Sequence, residues 1–184
     1  MGDRKPQRDA QRTRAAILDA ARDAFSSRGY AAAGLREITA AAGVNPALVS
    51  RYFGSKEKLF EAALAELLDG AVLTRGPRET FGEAVVALLT DHTAARRNPL
   101  PMMLFAGADP GARAIVQRLL EELTLAPLAD WLGPVEGRSR AARFAALASG
   151  LTVYRAIYPL TELASPLDPA ARAWFAATFQ SLVD

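Results

Sequence analysis

The stretch AAAGVNPALVSRYFGSKEKL, residues 40–59, contains two glycines, a proline and an asparagine among apolar residues at helical spacing. Gly43 predicts the end of one helix, because the sharp turn needs a positive φ angle that glycine adopts without strain. Asn45 can cap the next helix, and Pro46 suits its first turn, where no backbone N–H is needed. Two short helices joined by a glycine-containing turn predict a helix-turn-helix, although an ordinary helical bundle also accommodates such a turn.

The second of these helices, predicted over residues 46–53, has an outer face of small and polar side chains. If Val49 points inward, a rotation of about 100° per residue directs Ala47, Ser50 and Arg51 away from the core. Pro46 and Leu48 flank that face. A face without long charged side chains permits the close approach that a DNA major groove requires.

The side chains on and near this face can each make a particular kind of contact with DNA. Ser50 can bond a base edge or a phosphate, and Leu48 can pack on a thymine methyl group. Arg51 and Tyr52 can reach phosphates, and Arg51 can also reach guanine. Lys56 stands at the start of the next helix, where free backbone N–H groups and its own charge favour a phosphate.

Charge is distributed unevenly along the chain. Residues 1–60 hold eleven Lys/Arg against six Asp/Glu, or +5, whereas residues 61–184 hold eleven against fourteen, or −3. A basic N-terminal third favours a polyanionic partner, although basic termini also arise by chance. The basic side chains before and within the first helix suit the DNA backbone or the minor groove: Arg4, Lys5, Arg8, Arg12 and Arg14.

Helical periodicity dominates the whole chain, and no segment alternates like a strand, so the fold class is all-α. Gly76–Pro77 is the best boundary, between an N-terminal helix-turn-helix domain (9–70) and a larger helical domain (77–184). Gly and Pro residues separate the remaining segments. The predicted helices span 9–28, 35–42, 46–53, 56–70, 78–97, 100–106, 111–132, 138–158 and 169–182.

Residues 12–68 resemble the DNA-binding domain of TetR-family transcriptional regulators. The similarity lies in RAAILDAARDAFSSRGY (14–30) and in LREITAAAGVNPALVSRYFGSKEKLFEAAL (35–64). The resemblance implies a homodimeric repressor whose larger C-terminal domain binds a small effector. Carried over by position, the family's DNA contacts fall on Arg36, Pro46, Ala47, Leu48, Ser50, Tyr52 and Lys56.

Three residues depart from the family's pattern. Gly34 stands where a Thr or Ser usually caps the second helix, Leu48 replaces a common Thr, and Ser50 replaces a common Tyr. The fold tolerates these changes. They make the sequence of a pseudo-palindromic operator unpredictable from relatives.

The last two long helices, 138–158 and 169–182, are rich in small residues on more than one face. Such helices pack closely on two neighbours, as a dimeric four-helix bundle requires, although an alanine-rich composition alone gives the same pattern. A set of large apolar and aromatic side chains is predicted to line a pocket for an apolar or aromatic effector. Each of these side chains could instead be an ordinary part of the hydrophobic core. The set is Leu88, Met102, Met103, Phe105, Leu119, Trp131, Tyr154 and Tyr158.

Other chemistry lacks the residues it needs. The chain has no Cys and one histidine, His92, so zinc clusters, disulfides and cysteine nucleophiles are excluded, and we expect no cofactor. Serines without a histidine partner support no catalytic triad, so we expect no enzyme. The basic N-terminal stretch has no apolar run and no segment is long enough to span a membrane, so we expect a cytoplasmic protein.

The sequence therefore predicts a ligand-responsive, DNA-binding repressor that an apolar or aromatic effector releases from its operator. Two alternatives remain. One is a DNA-binding regulator without an effector, which acts through protein partners. The other is a helical small-molecule carrier or enzyme that merely retains the N-terminal helix-turn-helix domain.

Overall fold

The computed structural model describes the backbone of residues 4–91 and 98–184, with side chains from Arg8 onward. These residues form helices and no strand. The α-helices are α1 (Arg4–Ala32), α2 (Leu35–Ala41), α3 (Ala47–Tyr52), α4 (Lys56–Ala65), α5 (Ala71–Thr74), α6 (Phe81–Thr90), α7 (Leu100–Ala106), α8 (Pro110–Leu120), α9 (Ala126–Leu132), α10 (Gly137–Thr152) and α11 (Pro169–Gln180).

The chain divides into two compact units. The first comprises the chain up to Leu67 together with Pro101–Leu119, and the second comprises Leu68–Leu100 together with Leu120–Asp184. Residues 101–119 thus group with the N-terminal helices, although their place in the sequence assigns them to the predicted domain 77–184. The two units are defined by spatial proximity, whereas the predicted domains were defined by position in the sequence. The predicted domain limits therefore stay a prediction.

The core of the first unit is built on one stripe of α1. Ile17, Leu18, Ala21 and Phe25 recur at helical spacing and are buried, as the periodicity predicts. Phe60 of α4 meets the ring of Phe25 edge-on, with 5.2 Å between the ring centroids. Burying a side chain such as Phe25 stabilises the fold by about 1.5–3 kcal/mol. This stripe therefore fixes which side of α1 faces α4.

Two glycines shape the ends of the first helices. Gly43 has φ +67° in the turn between α2 and α3, which confirms the predicted positive φ. Gly29 has φ +78° and ψ 168°, a region that is nearly exclusive to glycine. This ψ is not that of a left-handed helical cap, and the chain resumes helical geometry as far as Ala32 after the break.

The second unit packs around three phenylalanines. Phe144 of α10 lies between Phe81 of α6 and Phe179 of α11, with ring centroids 6.2 and 5.6 Å away. All three rings are buried. Their contacts join α6, α10 and α11 into one core.

Helices α6 and α11 approach each other closely at Gly82. A Cβ atom at this position would overlap the carbonyl oxygen of Ala176 and come within 2.9 Å of the backbone nitrogen of Gln180. The Gln180 side chain accepts a hydrogen bond from the Gly82 N–H at 3.0 Å and donates one to the Arg78 carbonyl at 3.0 Å. Glycine is therefore required here for packing.

The observed helices lie in or near the predicted segments, but several ends differ; the predicted helix 56–70, for example, ends as α4 at Ala65. Helix α1 begins at Arg4 instead of residue 9, and the predicted helix 78–97 begins with a 3₁₀ turn, Arg78–Thr80, before α6. Its last residues, including His92, lie outside the described residues. The predicted helices 111–132 and 138–158 contain π turns at Glu121–Leu125 and Val153–Ile157. Pro127 has no N–H to donate to Leu123, whose carbonyl accepts from Gly70 at 3.0 Å instead.

Candidate nucleic-acid interface

Helix α3 presents the face that its periodicity predicts. Val49 is buried at 1% exposure, whereas Ala47, Ser50 and Arg51 on the other side are exposed. Pro46 is also exposed, and the flanking side chains of Leu48 and Tyr52 are half-buried. Because the outward side chains are short or flexible, the backbone of α3 can approach a partner surface closely.

Local hydrogen bonds hold the turn before α3. The Asn45 side-chain oxygen accepts from the Ala47 N–H at 2.9 Å, as predicted for a cap. The Val44 N–H donates to the Thr39 carbonyl at 2.9 Å and so ties the turn to α2. Phe53, which ends α3, is buried. The exposed face is thus carried by a turn and a helix end that are both anchored.

The start of α2 compensates for the absence of a hydroxyl cap at Gly34. The Glu37 carboxylate accepts from the Gly34 N–H at 3.4 Å and forms an ion pair with Arg28 at 2.7 Å. A glutamate three residues after the cap is the second half of a capping box, so the sequence held this signal. Arg36, on the same helix, is exposed and free to meet an anionic partner.

Lys56, at the start of α4, has two contacts inside the protein. Its Nζ donates to the Ala31 carbonyl at 3.4 Å and lies 4.7 Å from the centre of the Tyr30 ring. The Ser55 hydroxyl caps α4 by accepting from the Lys58 N–H at 3.2 Å. Lys56 as a whole is half-exposed at this helix start. The predicted phosphate contact would therefore compete with a cation–π contact.

A second link joins the end of α1 to α4. The Tyr30 hydroxyl donates to the Glu57 carboxylate at 2.8 Å. Burial and this hydrogen bond to a carboxylate raise the pKa of Tyr30 well above its ordinary value. Hydrogen bonds from its own backbone N–H, from Ser55 and from Tyr30 lower the pKa of Glu57. Sequence periodicity does not identify this pair, because its members are 27 residues apart.

The basic residues of α1 occupy different surroundings. Arg8 and Arg12 are exposed, and the side chains of Arg4 and Lys5 lie outside the described residues. The Arg14 guanidinium lies 5.1 Å from the centre of the Phe53 ring and 3.9 Å from the Glu66 carboxylate. Arg14 is exposed as well, at 48% of its side chain, but unlike a purely solvent-directed arginine it contacts Phe53 and Glu66 within the protein.

The residues predicted to line an effector pocket fall into both units. In the first unit Met102 and Leu119 are buried core residues, Met103 is half-buried, and the exposed Phe105 packs against Gly29. In the second unit Trp131 packs on Phe81 under the guanidinium of Arg78. Tyr154 and Tyr158 are exposed, and Leu88 lines a cleft. The set is therefore divided between the two units, and the effector-binding residues stay a prediction.

The cleft in the second unit lies between α5 and α6 and has a volume of about 510 Å³. It is open to solvent, and apolar side chains form most of its wall. Its lining comprises Val72, Leu73, Ala84, Val85, Leu88 and Asp91, among others. Sequence reasoning singled out Leu88 among these residues, and Val72 and Leu73 belong to α5, which was not predicted as a helix.

Two further searches of the described residues concern metal ions and membranes. Within residues 4–91 and 98–184, no group of three His, Asp or Glu side chains could hold a metal ion. None of the helices in this part of the chain is long and apolar enough to cross a membrane.

Similar proteins include regulators of transcription. The chain is 46% identical to an HTH-type transcriptional repressor, Rv3405c, of Mycobacterium tuberculosis over 72 residues. These 72 residues make up 39% of this chain and 37% of that repressor. The match thus spans well under half of that repressor's length. A TetR-family regulator from Streptomyces coelicolor A3 shares 28% identity and a TM-score of 0.59 over 100% of this chain and 99% of its own. The multidrug binding protein EbrR, complexed with ethidium, has 20% identity and a TM-score of 0.64 over 94% of this chain and 99% of its own.

Two family models match the chain. Residues 17–63 match the model described as "Bacterial regulatory proteins, tetR family", and residues 79–183 match the "Tetracyclin repressor-like, C-terminal domain". The second model alone covers more than half of the 184 residues. The chain therefore belongs to the tetR family of bacterial regulatory proteins, whose members regulate transcription and are not enzymes.

Proposed function

We propose that the chain is a repressor that places α3 in the major groove of double-stranded DNA. The observation that carries this proposal is the polarity of α3, with Ala47, Ser50 and Arg51 exposed and Val49 buried beneath them. A recognition helix must present short side chains to base edges while its other side stays in the protein. The exposed Arg12, Arg36 and Lys58 add the positive charge that phosphate contacts need.

The proposed repressor is a homodimer formed through α10 and α11. The support is an exposed apolar stripe on α11 at helical spacing: Ala170, Ala173, Trp174 and Ala177. Trp174 has 58% of its surface exposed. Exposed alanines on α10, such as Ala142 and Ala146, allow the backbone of a second copy to approach. Two-fold symmetry would give the protein two recognition helices for a pseudo-palindromic operator.

DNase I footprinting of the purified protein on genomic fragments tests this function. We expect protection of two half-sites whose centres lie about 10–10.5 base pairs, or a multiple of that distance, apart. Ser50→Glu, which places a negative charge on the exposed face of α3, should abolish the footprint. Ser27→Glu, at an exposed serine of α1, is the matched control and should retain it. Protection without sequence preference, or none, would contradict the proposal.

A response to a small apolar or aromatic effector is the finer part of the proposal. The supporting observation is the apolar cleft between α5 and α6, whose volume lies in the range of about 300–1,000 Å³ typical of ligand sites. A protein of similar fold was crystallised with ethidium, a planar aromatic cation. An effector that binds the DNA-free conformation more tightly would shift the protein away from its operator.

Fluorescence titration with ethidium, in the absence of DNA because the dye also intercalates, tests the cleft. We expect saturable binding that Leu88→Trp, which fills the cleft, weakens more than Leu160→Trp, a substitution at an exposed leucine elsewhere. Equal ethidium binding by both variants would show that the cleft is not the binding site. If no compound alters operator occupancy, the alternative of an effector-independent regulator acting through partners is favoured. A cytoplasmic location stays a prediction of the sequence.

A further inference from the structure

Arg14 lies on the side of α1 that carries the buried stripe, and 48% of its side chain is exposed. At about 100° per residue it shares the inward stripe with Leu18, Ala21 and Phe25, which are spaced four, seven and eleven residues further along the helix. Arg12, only two residues away, is rotated by about 200° and lies on the outer side of the helix. The two arginines therefore have the same chemistry but lie on opposite sides of α1.

The inward position brings Arg14 to the end of α3. Its guanidinium is 5.1 Å from the centre of the ring of Phe53, the buried residue that ends α3. Cations at this distance from an aromatic ring are attracted to its face. Phe53 is bonded to α3 through its N–H, which donates to the Val49 carbonyl at 2.8 Å. A constraint on the Phe53 ring is thus a constraint on the helix that carries the exposed face.

The other side of Arg14 is oriented by α4. The Glu66 carboxylate, at the end of α4, lies 3.9 Å from Arg14 and 3.2 Å from Arg22. Two arginines of α1 therefore share one carboxylate, and Arg14 spans the space between that carboxylate and the Phe53 ring. This arrangement joins α1 and α4 to the end of α3, a helix of six residues.

We propose that Arg14 is a positioning residue, which sets the orientation of α3 through Phe53 and does not neutralise a DNA phosphate. The inference rests on the proposed DNA-binding function for its consequence, but the contact itself concerns the free protein. Arg14 should then influence how well α3 discriminates between sequences, whereas Arg12 should contribute salt-dependent affinity for any DNA.

Hydrogen–deuterium exchange of the full-length protein without DNA tests the contact. In Arg14→Gln we expect the amides of residues 45–54 to exchange about two- to fivefold faster, as the loss of one cation–π contact implies. The amides of the α1 and α4 core should change less. Arg14→Lys, which keeps a cation, should restore most of the protection, and Arg12→Gln should leave it unchanged. Exchange in Arg14→Gln equal to that of the unsubstituted protein would overturn the proposal.

Binding to the footprinted operator, measured as a function of salt concentration, tests the consequence. Arg12→Gln should lower the slope of log K against log [salt] by about 0.9 for each phosphate it contacts. Arg14→Gln should leave the slope nearly unchanged and reduce the ratio of affinities for the operator and a scrambled duplex. A fall in slope equal to that of Arg12→Gln would overturn the proposal. If no DNA is bound at all, the proposed function fails while the exchange experiment still decides the role of Arg14.

Discussion

At the scale of single residues, Leu48 and Lys56 are expected to contribute to DNA binding in different ways. Leu48 borders the exposed face of α3, whereas Lys56 stands at the start of α4. We expect Lys56→Ala to weaken binding to all sequences and to lower the salt slope by about 1, and Leu48→Ala to change mainly the sequence preference. Titrations of operator and scrambled duplexes at several salt concentrations measure both effects. An unchanged slope for the first variant, or uniform weakening for the second, would contradict these roles.

Gly34 is a residue whose replacement should stabilise the protein. Its φ of −85° and ψ of 138° suit any residue, and a Cβ atom would meet only the flexible Glu37 carboxylate at 3.4 Å. Gly34→Ser supplies a hydroxyl cap, so we expect the free energy of unfolding in urea to rise by about 0.5–1 kcal/mol.

Gly43→Ser is the matched control, in the turn at the other end of α2. No atom would contact its Cβ, but its φ of +67° is strained for serine. We expect a loss of about 1–2 kcal/mol. Equal changes in the free energy of unfolding for Gly34→Ser and Gly43→Ser would show that backbone conformation does not determine these changes.

At the scale of elements, the Tyr30–Glu57 hydrogen bond connects the end of α1 to α4. Tyr30→Phe should lower the free energy of unfolding at pH 7 by about 1 kcal/mol. The pKa of Tyr30 is raised above 10.0 in the folded protein, so the unfolded chain loses this proton first and stability falls as pH rises above 10. Removing the hydroxyl should make that fall shallower.

Urea unfolding at pH 7 and at pH 10.5–11 measures both effects of Tyr30→Phe. Tyr158→Phe, at an exposed tyrosine, is the control and should leave stability at pH 7 unchanged. A fall above pH 10 that is as steep in Tyr30→Phe as in the unsubstituted protein would be inconsistent with this linkage.

The contact between α6 and α11 depends on the absence of a side chain at Gly82. Gly82→Ala places a methyl group against the backbone of Ala176 and Gln180, neither of which can move aside cheaply. We expect a loss of about 2–3 kcal/mol of stability, by the cost of overpacking. Gly76→Ala, where no atom lies within 4 Å of the added Cβ, is the control in the same unit and should be nearly neutral. Thermal unfolding of both variants decides the point.

At the scale of the whole molecule, the proposed dimer depends on the exposed stripe of α11. Trp174→Glu puts a charge at the centre of that stripe, and we expect it to give a monomer that binds the operator at least tenfold more weakly. Val135→Glu, at an apolar residue that is 75% exposed outside α10 and α11, should remain dimeric. Sedimentation equilibrium gives the oligomeric state, and a dimeric Trp174→Glu would exclude this interface.

Local patterns were enough to predict the α-helices other than α5, and the face of α3. The limits of α7 and the caps at Asn45 and Ser55 depend on residues within one turn of each other, so the sequence contains all the terms that decide them. The inward direction of Val49, from which the predicted face was derived, agrees with its burial. The π turns were not predicted, because they depend on how a helix meets its neighbours, as Gly70 meets Leu123.

The sequence by itself determined the all-helical fold, the turn at Gly43 and the exposed face of α3, since backbone geometry and helical periodicity are local properties. Only the tertiary structure decided that Arg14 and Lys56 lie against the aromatic rings of Phe53 and Tyr30. It also separated Met102 from Leu88 into different units. Such contacts join residues that are tens of positions apart, and their energies depend on distances that chain folding alone establishes.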